Sequence, residues 1–275
     1  MSRCHAATSL GFLATLSIIG CSLSPSYTPA RAAATIVEVC REKFHLSVST
    51  RLIGRTLYTS AQMPGFLRRL VANGTFATQD SDQIGNFLVT TTQVSLSTDP
   101  PIDFYVLRLS DPEAPGTELR YVTYLDDIRR LYANALAEME FFDRRIQELK
   151  LRPSETVMTD PWMEREVVLG EFLAVQLALR IKAWGLQDAA VSDWHLEDCV
   201  GWFRNGTFSF TVARNVPSSA TRLEAPWPKK ALALMARVLT EYQFKDYQKI
   251  LLTDASTMTT RQLTPADLAV YYKRR

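Results

Sequence analysis

The chain predicts an α+β fold in which antiparallel β-hairpins pack against several long helices. Three observations carry that expectation. Asn205-Gly206 separates the strand-like runs Val200–Arg204 and Thr207–Val212, and an Asn-Gly pair suits a tight hairpin because both central residues of a type I′ turn need positive φ. Stretches with apolar residues at three- and four-residue spacing alternate with such runs, Asp127 to Lys150 being the clearest. Hydrophobic residues make up 47% of the 275, enough for a substantial core in one large domain or two smaller ones.

Taken in order, Ser22 to Ala34 is rich in Ser, Pro and Ala and reads as a flexible tether. The folded part is expected to begin at Thr35, with a short helix marked by Ile36, Val39, Cys40 and Phe44. From Leu46 the period becomes two, Leu46, Val48, Thr50 and Leu52 alternating with Ser47, Ser49 and Arg51, as in a half-buried strand. Gly54-Arg55 breaks it, and Thr56-Leu57-Tyr58 continues beyond a bulge or turn. Pro64 to Ala72 suits a short helix stopped at Asn73-Gly74. Ile84 to Leu96 fits a helix through Ile84, Phe87, Leu88 and Thr91, or a strand through Leu88, Val94 and Leu96; the helix is preferred. Asp103–Leu109 and Glu118–Thr123 flank the turn-rich Asp111–Gly116, a second hairpin.

Asp127 to Lys150 is expected as one long helix, N-capped by Asp126 or Asp127, with Ile128, Tyr132, Ala135, Met139, Phe142, Ile146 and Leu149 on one stripe. A helix laid on a sheet is preferred to a coiled-coil seam. Leu151 to Thr159 reads as a hinge. Asp160-Pro161 opens a second long helix, Pro at its first position and Glu164 and Glu166 near its start. Val167 to Trp184 is apolar on more than one face, hence central, and Gly185 ends it. After the Asn205-Gly206 hairpin, Pro228 opens a helix through Leu232, Met235, Val238, Leu239 and Tyr242, a strand spans Tyr247 to Leu252, and Thr264-Pro265-Ala266-Asp267 caps a final short helix. The expected division is a signal segment 1–20, a tether 21–34, and α+β domains or subdomains at 35–150 and 151–275. Helix, hairpin and long helix recur in both halves. Asn-Gly-Thr-Phe occurs at 73–76 and 205–208, but four turn-forming residues are too few to mark a duplication.

Arg3 is the only charged residue before Leu10, and Leu10 to Ile19 is a short apolar run, well below the roughly 20 residues that span a bilayer. It ends in Ile18-Ile19-Gly20-Cys21. This stretch resembles the lipobox signal of bacterial lipoproteins. The resemblance covers residues 1–22 only and implies diacylglyceryl attachment to the Cys21 sulfur, cleavage before it, and acylation of the new amine. The membrane would then be a partner through acyl chains on Cys21, and several chains give a stable anchor where one is marginal. Ser22 after the cysteine implies the outer membrane, with the protein facing the periplasm. Cleavage after Ala32 or Ala34 is the competing expectation.

Without residues 1–20, 30 basic residues face 29 acidic ones, so nothing suggests a nucleic-acid partner. Lys229-Lys230 and the other short basic runs read as solvated helix faces or tails. Cys40 and Cys199 remain once Cys21 is set aside. In an oxidising compartment they form either one disulfide or two separate buried thiols.

His45 and His195 are the histidines beyond the signal, with no His-Glu-x-x-His and no Cys-x-x-Cys, so no metal site is expected. Nucleophile elbows and Gly-rich phosphate loops are also missing from the sequence, and no cofactor is expected. The densest polar group is Asp193-Trp194-His195-Leu196-Glu197-Asp198. His195 with Asp193 or Glu197 is the candidate acid–base constellation, and Trp194 and Trp202 suit stacking on a sugar ring or lipid headgroup. A polar loop entering a strand is the simpler reading. Asp126 and Asp127 are read as a helix cap rather than a glycosidase pair. The function expected is a lipid-anchored cell-envelope protein with a binding or scaffolding role and an envelope protein as partner, more a binder than an enzyme. The alternatives are an envelope hydrolase acting on glycan or lipid, and a lipid-binding carrier domain.

Overall fold

The computed structural model describes residues 27–151, 165–187, 196–214 and 227–272. The α+β expectation holds, and the β-structure falls into two mixed sheets. The first half runs α1 (Pro29–Phe44), β1 (Val48–Ile53), β2 (Thr56–Gln62), α2 (Phe66–Asn73), α3 (Thr78–Leu96), β3 (Phe104–Ser110), β4 (Thr117–Tyr124), α4 (Leu125–Tyr132), α5 (Glu138–Arg144) and β5 (Ile146–Leu151). The second runs α6 (Leu169–Gln187), β6 (Leu196–Arg204), β7 (Thr207–Arg214), α7 (Trp227–Glu241), β8 (Lys249–Asp254), β9 (Thr259–Leu263) and α8 (Pro265–Ala269).

Hairpins β1–β2, β3–β4, β6–β7 and β8–β9 are antiparallel, and the β3–β4 and β6–β7 pairs match the two expected hairpins. They join through parallel pairs, β2 with β3 and β7 with β8, giving sheets in the orders β1-β2-β3-β4-β5 and β6-β7-β8-β9. A parallel pair needs a crossover connection, supplied by α2 and α3 in the first sheet and α7 in the second. Helix–hairpin–helix–hairpin is thus present twice. The Asn-Gly-Thr-Phe repeat does not mark it: Asn73-Gly74 ends α2, whereas Asn205-Gly206 is the β6–β7 turn, with φ of 50° and 69°. The place matching that turn in the first half is Gly54, also at positive φ.

The expectation of several long helices needs correction. Only α1, α3, α6 and α7 exceed eight residues among those described. The expected Asp127–Lys150 helix is two short helices and a strand. Asn134 takes a left-handed φ of 54°, breaking the helix after Tyr132. Ile146 turns into the core as the first residue of β5, pairing with Val122. Tyr132, Met139 and Phe142 of the supposed stripe stay exposed. Asp126 and Asp127 are not caps: the N-cap position is Tyr124, and both acids lie in the first turn of α4.

Helix α1 begins six residues before the expected Thr35. Thr28 accepts from Arg31 N–H, Pro29 occupies the first turn, and the alanines that suggested a tether are strong helix formers. The expected second long helix begins at Leu169, with residues 165–168 extended or bent; its expected opening at Asp160-Pro161 lies outside the described residues. It also runs past Gly185, whose bare α-carbon packs on Leu196. The final capping box at Thr264 and Asp267 forms as read, and β9 is an element the pattern did not reveal.

Four layers result. One core lies between α1, α2 and α3 and one face of the first sheet, centred on Ile36, Phe66, Phe87 and Leu107. The other joins the opposite face of that sheet, through Phe104, Val106 and Ile146, to α6, α7 and the inner face of the second sheet, through Phe172, Leu232, Phe208 and Val212. The two halves therefore share a core, with α6 at its centre. Gly201 lets β6 approach α6 closely: a β-carbon there would lie 2.4 Å from the Ala174 carbonyl oxygen.

Candidate functional site

Two polar features border α6, one buried and one open. The buried one is a charged seam between the halves. Asp127 of α4 accepts a short hydrogen bond from the Tyr242 hydroxyl and another from Arg144 Nη1 at 3.0 Å. Arg144 of α5 also reaches Glu140 at 3.1 Å and Glu241 of α7 at 2.6 Å, and stacks over the Tyr242 ring at 4.9 Å. Gln176 of α6 donates to the Arg144 carbonyl at 2.7 Å and to the Tyr242 hydroxyl at 3.0 Å. Burial pushes Asp127 above the usual carboxylate range, against the pull of Tyr242 and Arg144. Burial and the neighbouring Asp127 likewise raise Tyr242. Burial works against the Arg144 cation, but Tyr242, Asp127 and Glu140 more than offset it and hold it charged. Each member has partners within the seam, as a structural cross-tie requires.

The open feature is a groove of about 770 Å³ between α6 and α7, bordered by the residues that follow α8. Arg180, Ile181 and Trp184 present one face of α6, and Lys230, Leu234 and Arg237 one face of α7, both at helical spacing. Lys230 lies over the Trp184 ring at 4.8 Å, so these residues mark one end. The other end adjoins the seam: Glu140 holds both Arg144 and Arg180, the latter at 3.2 Å, and Glu241 holds Arg144 and lies 3.9 Å from Arg237. Arg237 Nε is buried without a hydrogen-bond partner among the described residues. Four cations line the groove against one carboxylate, Asp143.

Lys229 and Lys230 occupy the first turn of α7, which holds no acid. Cations there oppose the helix dipole, at about 0.3–1 kcal/mol each. Lys230 offsets this through the Trp184 ring, whereas Lys229 makes no ion pair among the described residues, which draws attention to this end of the groove. That signal was present in the sequence once Pro228 was read as a helix start, yet the pair read as a solvated face. Arg180 and Arg237 carry no motif; only the packing of α6 on α7 brings them together.

Those of the expected site residues that are described do not line the groove. Asp193, Trp194 and His195 lie outside the described residues, as does Cys21. Glu197 is exposed on β6 and does not line the groove, and Asp198 pairs with Lys182 at 2.8 Å. Trp202 stands half-exposed on the outer face of the second sheet. Cys40 and Cys199 are free thiols in different cores, Cys40 on the buried face of α1 and Cys199 on the buried face of β6. Of the two readings left open, the structure has two separate buried thiols. Among the described residues no group of His, Cys, Asp and Glu is placed to hold a metal ion. No protein-family model, curated protein or solved structure matches this chain.

Proposed function

We propose that this chain is a cell-envelope protein held by acyl chains on Cys21, at the outer membrane and facing the periplasm, and that its folded part is a binding module. The observation supporting a binding role is the α6–α7 groove. It is concave, of a size in the usual range for ligand sites, and lined by apolar side chains with cations at both ends. Of the other readings, a lipid-binding carrier gains support from the apolar floor of Ile181, Trp184 and Leu234. A hydrolase gains none from the described residues: Glu197 lies outside the groove, and Asp193 and His195 are not among them.

The test is photocrosslinking in a bacterial envelope, using the full chain with a photoreactive residue at Leu234. The expected result is a discrete adduct that the same probe at Met258, 83% exposed and outside the groove, does not give. Cys21→Ala should move the chain out of the membrane fraction and abolish acyl labelling. Failure of Leu234 to give an adduct overturns the binding role. Unchanged acyl labelling in Cys21→Ala overturns the anchor.

A further inference from the structure

We infer that the groove takes an amphiphile bearing a phosphate-type anion, with the anion at the Lys229–Lys230 end and the hydrocarbon along Trp184, Ile181 and Leu234. This inference rests on the binding role proposed above and names the ligand class.

Charge places the anion. At the far end, Arg180 and Arg237 lean on Glu140 and Glu241, with Asp143 close by. Glu140 and Glu241, shared with Arg144, offset part of that charge, whereas no described acid lines the Lys229 end. Lys229 is exposed and makes no ion pair among the described residues. Lys230 stands beside it in the same first turn.

Chemistry of the lining defines the rest. No Ser, Thr, Asn or Gln lines the groove. The Tyr271 and Tyr272 hydroxyls and the Trp184 indole N–H are its only neutral polar side-chain groups among the described residues, fewer directional partners than a sugar or a nucleobase ordinarily meets. Hydrocarbon needs none, and Leu234 and the Trp184 ring offer apolar surface between the charged ends, over the buried Ile181. From Lys230 to Arg237 the groove covers seven residue steps of α7, about 10 Å of helix rise. That is close to the minimum for a docked amphipathic helix with anchors at i, i+3, i+4 and i+7. A compact headgroup and one chain suit that length better. A chain anchored by Cys21 would also sit among phospholipids, the commonest amphiphiles of this type at a membrane surface.

The full acylated chain, with the photoreactive residue at Leu234, is placed in phosphatidylcholine vesicles with and without a minor fraction of phosphatidylglycerol, and adduct masses are read. Phosphatidylglycerol adducts should exceed that lipid's share of the vesicle by about tenfold, the effect of one charge-assisted contact. Lys229→Gln should remove the enrichment and Lys229→Arg should keep it, both with unchanged thermal unfolding. Arg237→Gln should leave it nearly intact. Adducts in proportion to composition overturn the inference, as does loss of enrichment in Arg237→Gln instead of Lys229→Gln. Displacement of the lipid by inorganic phosphate at equal concentration would show that the chain contributes nothing, and overturns it too. Protein adducts in cells with no lipid adducts in vesicles overturn this ligand class and leave the binding role standing. No adduct in either setting removes both.

Discussion

Arg144 of α5 and Glu241 of α7 meet at 2.6 Å although 97 residues separate them in the chain. Their contact closes the seam between the halves and shares its carboxylates with Arg180 and Arg237 of the groove.

Arg144→Met should lower unfolding stability by about 3–5 kcal/mol, the usual cost of removing one partner from a buried ion pair. The single change strands the buried Asp127 carboxylate. Combining it with Asp127→Asn should cost clearly less than the two single losses added together. Urea unfolding of the four proteins measures the coupling, and strict additivity would contradict the seam.

Arg108 and Arg120 face each other across β3 and β4, and Glu118 binds both. Burial raises the Glu118 carboxyl, but the two guanidiniums lower it more, and it ends below its ordinary 4.5. A carboxyl depressed by folding stabilises above its unfolded pKa and loses that contribution as pH falls through the folded one. Stability should therefore decline on acidification below about pH 4.5, and Glu118→Gln should flatten that decline while lowering stability at neutral pH. Asp127, raised by burial, acts in the opposite sense. Denaturant unfolding from pH 7 down to pH 3 separates the two.

Asp111, in the loop after β3, accepts backbone N–H bonds from Gly65, Leu67 and Glu113 at 2.8–3.0 Å. It caps α2 from a distant part of the chain, in place of the missing side-chain cap at Gly65. Asp111→Ala leaves these amides unmet and should cost about 1–3 kcal/mol. Hydrogen exchange should show the loss concentrated in α2; an even loss across the fold would count against the capping role.

Burial pushes the Cys40 thiol up to about 11 and burial with Asp198 nearby pushes Cys199 up to about 12. Both should resist alkylation at pH 8 in the native protein and react at once in denaturant without reductant. A thiol that reacts only after reduction would show that it had been bonded.

The local rules made much of the fold readable. Asn205-Gly206, the Thr264 capping box and the Asn73-Gly74 stop all act within a few residues, and all were placed from sequence. What escaped depended on distant partners. Ile128, Phe142 and Ile146 keep a helical spacing, yet Asn134 breaks the helix and pairing with Val122 makes Ile146 a strand residue. Nothing local to Asp127 reveals that Arg144, Tyr242 and Gln176 will surround it. The groove was illegible for the same reason: α6 and α7 each show an apolar stripe, but which cations flank the contact is set by their mutual packing.

The early start of α1 sets a length. Seven residue steps separate Cys21 from Thr28, the cap of a helix packed into the first core. Fully stretched, they reach about 25 Å at most. If Cys21 carries the acyl chains, the protein works on a short leash rather than a long arm. It could not swing across the compartment to find a ligand on the far side, so whatever it holds must come to the surface where it is moored.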